Sequence, residues 1–286
     1  MTEKNPGSAN RQSLNCRGTL LDLSTPVVMG ILNTTPDSFS DGGKFNTEEA
    51  ALSRIAEMEQ QGAAIIDVGG ESTRPGSEPV SVEEELSRTI PVLKRAVKAH
   101  PNLLFSIDTT KYEVAKQALE AGAHIINDVS GLKKEPRFAD LCASTGAAYI
   151  CMHSQGDPKT MQENPTYDNV VDDVLNELMK AKVELRKKEV DNVIVDPGIG
   201  FGKTMEHNIR LITNLPHLLQ LGCPILVGAS RKSLIGKLLN DRPTEGRLAG
   251  TVALHYHCLL QGAKILRVHD VQEAADSVKI FNALHN

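Results

Sequence analysis

Eight short, nearly unbroken apolar runs punctuate the chain, and each ends in polar residues. They are VVMGILN (27–33), AIIDVGG (64–70), LLFSIDTT (103–110), HIINDVS (124–130), AAYICMH (147–153), NVIVDPG (192–198), PILVGAS (224–230) and KILRVHD (264–270). Runs of this kind suit parallel strands buried on both faces. Longer stretches with helical spacing separate them. NTEEAALSRIAEMEQQGA opens with a capping-type Asn/Thr and an acidic first turn, and closes on Gly62. SVEEELSRTIPVLKRAV follows the same grammar, with Ser81 as its cap, Glu84 three residues on, and Pro91 as a predicted kink. Gly-Ala recurs before strands at Gly62, Gly122 and Gly262, and in similar form at Gly146, as expected of a helix C-cap turning into a strand.

Eight β/α units in 286 residues predict an α/β fold, a single-domain (β/α)8 TIM barrel over residues 15–286. Residues 1–14 read as a disordered or flexible polar tail. A doubly wound open sheet is the alternative, but it normally has fewer strands and a glycine-rich nucleotide loop. No GxGxxG follows the first strand, and no GxxxxGK[ST] occurs.

The polar residues are unevenly spread within each unit. Strand starts are bland, whereas strand ends carry Asn33, Asp67, Asp108, Asn127, Asp128, His153, Asp196, Ser230, Arg231, Lys232, Arg267 and His269. In a barrel all eight carboxyl ends meet on one face, where such enzymes keep their chemistry. Helix capping or strand stopping accounts for some of these residues, Asp128 among them. It accounts poorly for Asp108, Asp196, Lys232, Arg267 and His269 at equivalent depths.

Composition narrows the ligand. Aromatic content is 3% with no Trp, so the core is mainly Ile, Leu, Val and Ala, and stacking surfaces for single-stranded nucleic acid are missing. A net charge of −5 argues against a phosphate-backbone binder. The five cysteines are odd in number, scattered and never in a CxxC pair, which predicts buried thiols in a reducing compartment rather than disulfides or zinc ligands. The N-terminus lacks an apolar signal region, and no apolar stretch approaches the ~20 residues of a membrane span. The expectation is a cytoplasmic protein.

Asp108, Asn127 and Asp196 together offer acceptors and an amide, and Lys232 adds a donor. This set suits a flat heterocycle with a guanidine-like donor edge, the ammonium meeting its carbonyl or ring nitrogen. Arg267 and His269, two residues apart, point to one side of the last strand and form a candidate anion clamp. The alternative is a structural ion-pair element with Asp270. DPGIGFGK (196–203) is glycine-rich, for close backbone approach to a ligand or simply for a tight turn.

In order along about residues 15 to 285, the motifs MGILNTTPDSFSDGG, IIDVGGESTRPG, SIDTT, IINDVSG, DPGIGFGK, VGASRKSLIG and RVHD resemble those of bacterial dihydropteroate synthases. The resemblance implies a (β/α)8 barrel, homodimeric, that condenses 6-hydroxymethyl-7,8-dihydropterin diphosphate with 4-aminobenzoate, giving 7,8-dihydropteroate and diphosphate in folate synthesis. It implies that Thr73, Asp108, Asn127, Asp196 and Lys232 hold the pterin, while Arg267 and His269 clamp the diphosphate. Asn33 becomes a ligand of a Mg²⁺ that bridges to the diphosphate. Phe39, Thr73, Arg74, Pro75, Phe201 and Ser230 frame the 4-aminobenzoate pocket, where sulfonamides are expected to compete. Asp41, Lys232, Arg267 and His269 are the implied catalytic residues, in a substitution where carbon–oxygen cleavage precedes attack. Thr34 to Gly43 reads as a lid whose order depends on Mg²⁺ and diphosphate, with Phe39 carried over the amine. A pterin-dependent methyltransferase shares the pterin-holding barrel but needs neither the Arg267–x–His269 pair nor this lid. A non-catalytic pterin-binding paralogue is expected to lose Asp41, Arg74 or Lys232, all of which are present.

Overall fold

The computed structural model describes residues 12–35, 44–72, 77–156, 161 and 163–285. A hairpin comes first, β1 (Ser13–Cys16) and β2 (Thr19–Asp22), and the β/α alternation begins with β3 (Val27–Asn33) and α1 (Lys44–Gln61). It continues through β4 (Ile65–Gly69), α2 (Val82–Ala99), β5 (Leu104–Asp108), α3 (Tyr112–Glu120), β6 (Ile125–Asp128), α4 (Phe138–Thr145), β7 (Ala148–Met152) and α5 (Val170–Lys187). Then follow β8 (Val193–Asp196), α6 (Met205–Thr213), β9 (Ile225–Val227), α7 (Ser233–Leu238), α8 (Leu248–Leu260), β10 (Ala263–Val268) and α9 (Val271–His285). The eight apolar runs supply β3 to β10, all parallel and closed in the order β10-β3-β4-β5-β6-β7-β8-β9. This is the (β/α)8 barrel.

The two-residue period of a strand sorts the side chains. Met29, Ile65, Leu104, Ile125, Ile194, Leu226 and Ile265 form a cluster inside the amino-terminal end of the barrel. Their chain neighbours Val28, Ile66, Phe105, Ile126, Val195, Val227 and Leu266 belong to a second cluster, packed against the helices. Burying one such side chain contributes about 1.5–3 kcal/mol. The hairpin was not among the elements read from the sequence. Its Leu14, Cys16, Leu21 and Leu23 join the interior cluster and so close the amino-terminal end of the barrel. Two four-residue strands leave too short an alternation to stand out.

One or two steps further along the same strands the inward positions turn polar. Asp67, Ser106, Asp108, Asn127 and Asp196 are all buried there. Register puts Asp67 opposite Ser106 and Asp108 opposite Asn127. The barrel is therefore dry at one end and charged at the other.

The turns largely follow the sequence. Ser81 caps α2, its side chain accepting from the Glu84 N–H at 3.1 Å. The helix runs on through Pro91, which is exposed, so water can serve the carbonyl that proline leaves unpaired. Helix α1 starts at Lys44, ahead of the expected Asn46/Thr47 cap. Asn or Thr inside a helix costs at most about 0.7 kcal/mol each, too little to fix that boundary. Gly62 and Gly122 adopt left-handed φ of 102° and 107°, and the N–H of the following alanine reaches back 2.9 Å to Met58 O and Ala118 O respectively. This is the predicted Gly-Ala C-cap, repeated around the ring.

Candidate active site

Arg267 is the hub of the polar end. From β10 its side chain passes inward beyond β3, donating from Nε to Asp67 Oδ2 at 2.7 Å and from Nη2 to Asp108 Oδ2 at 2.6 Å. Asn127 Nδ2 donates to the same Asp67 oxygen at 2.9 Å. Asp67 Oδ1 and Asp108 Oδ1 are buried and accept no hydrogen bond from the described residues. Burial pushes the Asp108 carboxyl up to about 7, the pull of Arg267 opposing it and the charge of Asp67 adding to it. Burial disfavours the Arg267 cation, but Asp67 and Asp108 outweigh that and raise its pKa. The result is a buried guanidinium between two carboxylates, each with one oxygen to spare.

Lys232 and Asp196 complete the opposite wall. The Lys232 ammonium donates to the Ile199 carbonyl and sits 4.6 Å from the centre of the Phe201 ring. Burial lowers its pKa to about 8, with Asp196 resisting. Asp196, raised by burial and restrained by Lys232, accepts from the Gly198 N–H at 2.7 Å. Gly228 lies beside both walls. A methyl group built there would meet Arg267 Cβ at 3.7 Å and Asp196 Oδ2 at 3.9 Å.

Ser230 links the last two units. Its Oγ accepts from the His269 N–H at 3.2 Å and lies 3.0 Å from His269 Nδ1. Arg54, on α1, donates to the His269 carbonyl at 2.9 Å. Asp270 takes Arg231 as its partner, Nε to Oδ2 at 2.9 Å, so the fold does not build the alternative ion pair of Asp270 with Arg267 or His269. Asn33, His269, Arg231 and Arg54 share a cleft of about 670 Å³ outside the strand ends. Asp128 has the structural task expected of it: its carboxylate accepts from Ser130 N and Leu132 N, each at 2.8 Å, and from the Tyr149 hydroxyl.

Comparison with known proteins identifies the family. The family model described as pterin binding enzyme matches residues 29–269. Dihydropteroate synthase of Escherichia coli (strain K12) is 47% identical over 272 residues, covering 94% of this chain and 95% of that protein. The chain belongs to the dihydropteroate synthase family. Among solved structures, the Yersinia pestis dihydropteroate synthase with a sulfonamide drug complex superposes with a TM-score of 0.89 at 43% identity, over 95% of this chain and 98% of that one. The Xanthomonas albilineans enzyme in complex with 7,8-dihydropteroate gives 0.86 at 41% identity, over 95% and 98%.

The chain is accordingly an enzyme, a transferase with the family's reaction. Of the residues that the resemblance to dihydropteroate synthases singles out, Asn33, Asp108, Asn127, Asp196, Phe201, Ser230, Lys232, Arg267 and His269 all lie at the carboxyl end of the barrel. Phe39, Asp41, Thr73, Arg74 and Pro75 lie outside the described residues, as does most of the predicted lid. Two buried polar residues of this end escaped selection from sequence. Asp67 stood among the polar strand ends but was not chosen, although period-2 counting from Ile65 places it inside. Lys203 closes the quoted DPGIGFGK motif, and a lysine that ends a glycine-rich loop gives no sequence sign that it turns inward.

Proposed function

We propose that the barrel mouth holds the pterin of 6-hydroxymethyl-7,8-dihydropterin diphosphate against Asp108, Asn127, Asp196 and Lys232, and transfers its methylene group to 4-aminobenzoate. One observation carries this reading: the buried oxygens Asp67 Oδ1 and Asp108 Oδ1, without a partner among the described residues and beside a guanidinium, suit the donors of a flat guanidine-like edge. Lys232 faces that edge's opposite side, where a ring carbonyl or nitrogen accepts. Departure comes first. The methylene carbon–oxygen bond breaks, its electron pair stays with the diphosphate, and the electron-rich pterin spreads the positive charge. Arg267 and His269 meet the departing anion in a water-poor site, where fixed charges act more strongly than in water. The arylamine nitrogen then forms the carbon–nitrogen bond and releases a proton to solvent, so no strong general base is required. Asp41, Thr73, Arg74, Phe39 and Pro75 keep the roles that the resemblance assigns, with Asp41 as the electrostatic partner of the cation.

Mg²⁺ fits the donor chemistry as a guest of the diphosphate. Among the described residues no three of His, Cys, Asp and Glu gather into a metal-holding group, which argues against a resident, protein-caged ion. Asn33 offers a neutral amide oxygen at the end of β3, level with Gly69 across the ladder. That suits an ion whose charge is met by substrate phosphates. When bound, the ion supplies Lewis-acid stabilisation of the leaving group.

A homodimer is part of the proposal. Leu238, Leu260, Ile280 and Leu284 are exposed on α7, α8 and α9, apolar side chains that association of two chains would cover. A cytoplasmic setting agrees with five free, buried cysteines. Among the described residues no helix is long and apolar enough to cross a membrane.

Diphosphate release tests the activity. It should require both the pterin diphosphate and 4-aminobenzoate, and a sulfonamide should inhibit it competitively with 4-aminobenzoate. No release with both substrates and Mg²⁺ present would overturn the reading.

A further inference from the structure

The 196–203 segment is held by its own last residue. Lys203 is 2% exposed, and its ammonium donates to the carbonyls of Gly198 and Phe201 at 3.0 Å each and of His153 at 3.3 Å. Its Nζ also lies 2.9 Å from His153 Nδ1. Its Nζ therefore meets four acceptors, two on the segment itself and two on His153 just beyond β7. Three carbonyls of this segment are therefore held by lysine side chains, two by Lys203 and that of Ile199 by Lys232.

The rest of the segment is tied as closely. Gly200 N donates to Asn208 Oδ1 at 2.7 Å, and the Tyr167 hydroxyl donates to the Gly202 carbonyl at 2.7 Å. Gly198 has φ +67°, and a methyl group built on it would lie 1.9 Å from the His153 carbonyl oxygen. The backbone thus passes too near its neighbour for any side chain, along a path that bends around the lysine. What this path presents to the barrel mouth is the Ile199 carbonyl and the Phe201 ring, the two groups that Lys232 touches.

We propose that Lys203 is a positioning residue for the substrate site: its buried ammonium cross-ties the 198–201 carbonyls and so fixes the Ile199 oxygen and the Phe201 ring that aim Lys232. The inference rests on Lys232 as a substrate-holding residue, the reading given above. Nothing in it requires Lys203 to touch substrate.

The decisive variant is Lys203→Met, which keeps chain length and removes every donor. Three measurements belong together: KM for the pterin diphosphate, kcat, and hydrogen exchange of the 196–203 peptide. Misplacement of a site group by about an ångström costs on the order of a hundredfold, so KM for the pterin diphosphate should rise about ten- to a hundredfold. Exchange in the peptide should quicken, with a smaller change in kcat. A variant that melts earlier yet keeps the parent's KM and exchange would reduce Lys203 to packing and overturn the proposal. If Lys203→Met does not fold, Tyr167→Phe severs one tie of the same segment and should raise the same KM by a few-fold; an unchanged KM overturns the proposal there too. The parent enzyme separates this inference from the reading beneath it. An inactive parent removes the function, whereas an active parent with indifferent variants removes only the role of Lys203.

Discussion

Arg267 and Asp67 form an ion pair across the mouth of the barrel, Nε to Oδ2 at 2.7 Å, with the carboxylate fully buried and the guanidinium side chain 19% exposed. The second arm of the same guanidinium holds Asp108. Two carboxylates from adjacent strands thus share one cation.

Arg267→Ala should damage stability and turnover together. Removing one partner of a buried pair leaves an uncompensated charge and typically costs about 3–5 kcal/mol. Here two carboxylates are left, so urea unfolding should show at least the lower figure. Loss of a donor to the departing anion should also lower kcat by about 10²–10³. Turnover lost with stability intact would mean that Asp67 and Asp108 find other partners when Arg267 is gone.

Asp108 should give pterin binding a pH dependence with a definite sign. Its pKa rises from 3.8 to about 7 in the folded chain, through burial first. A donor edge prefers the carboxylate to the carboxylic acid, so pterin affinity should climb as pH rises toward about 7, and turn down again near pH 8 as Lys232 loses its proton. The same shift makes the folded chain the better proton binder between 3.8 and about 7. The residue's contribution to stability is therefore full below 3.8 and diminishes as pH rises through that window. Calorimetric titration with a pterin lacking diphosphate, from pH 5.5 to 8.5, reads the first effect. Asp108→Asn should bind weakly and without the rise below pH 7; a parent affinity that falls between pH 5.5 and 7 contradicts the assignment.

The barrel was legible because eight near-identical problems in burial have one solution. Strands that bury both faces must be apolar along their length, and polar endings then stand out against them. Asp108, Asn127 and Asp196 were readable on that ground alone, as interior positions of known period. What the period does not convey is which side chains meet. Arg267 and His269 share a strand end, and the sequence pairs them in one anion clamp. The fold sends Arg267 to Asp67 and Asp108, while His269 turns to Ser230. Those partners sit up to 200 residues away in sequence, and only barrel closure brings them together. The amino-terminal hairpin was missed for a different reason, since four-residue strands carry too few positions for alternation to show.

Metal removal should separate chemistry from folding. Asn33, as the ligand proposed for Mg²⁺, is a single neutral donor, and among the described residues no cluster of His, Cys, Asp and Glu cages an ion. Chelation should therefore abolish diphosphate release, and added Mg²⁺ should restore it. The melting temperature of the protein without substrate should not move, because an ion that binds only with diphosphate contributes nothing to the empty fold. A melting temperature that drops on chelation would point to a resident ion and remove the role proposed for Asn33.

Ser230 has two candidate tasks, and one substitution tells them apart. Its Oγ holds His269 through both the backbone N–H and the ring. The family resemblance places the same residue in the 4-aminobenzoate pocket. Ser230→Ala leaves the His269 N–H without its acceptor at a cost of about 1–3 kcal/mol, read as a lowered melting temperature. If Ser230 acts through His269, kcat falls because the departing diphosphate loses an oriented donor, while KM for 4-aminobenzoate stays near the parent's. If it acts on 4-aminobenzoate directly, that KM rises and kcat at saturation holds. The geometry favours the first outcome, since the hydroxyl already has two partners on His269. We expect about a tenfold fall in kcat, at the low end for general acid–base and anion-stabilising groups. A rise confined to KM for 4-aminobenzoate would show instead that the hydroxyl leaves His269 when substrate binds.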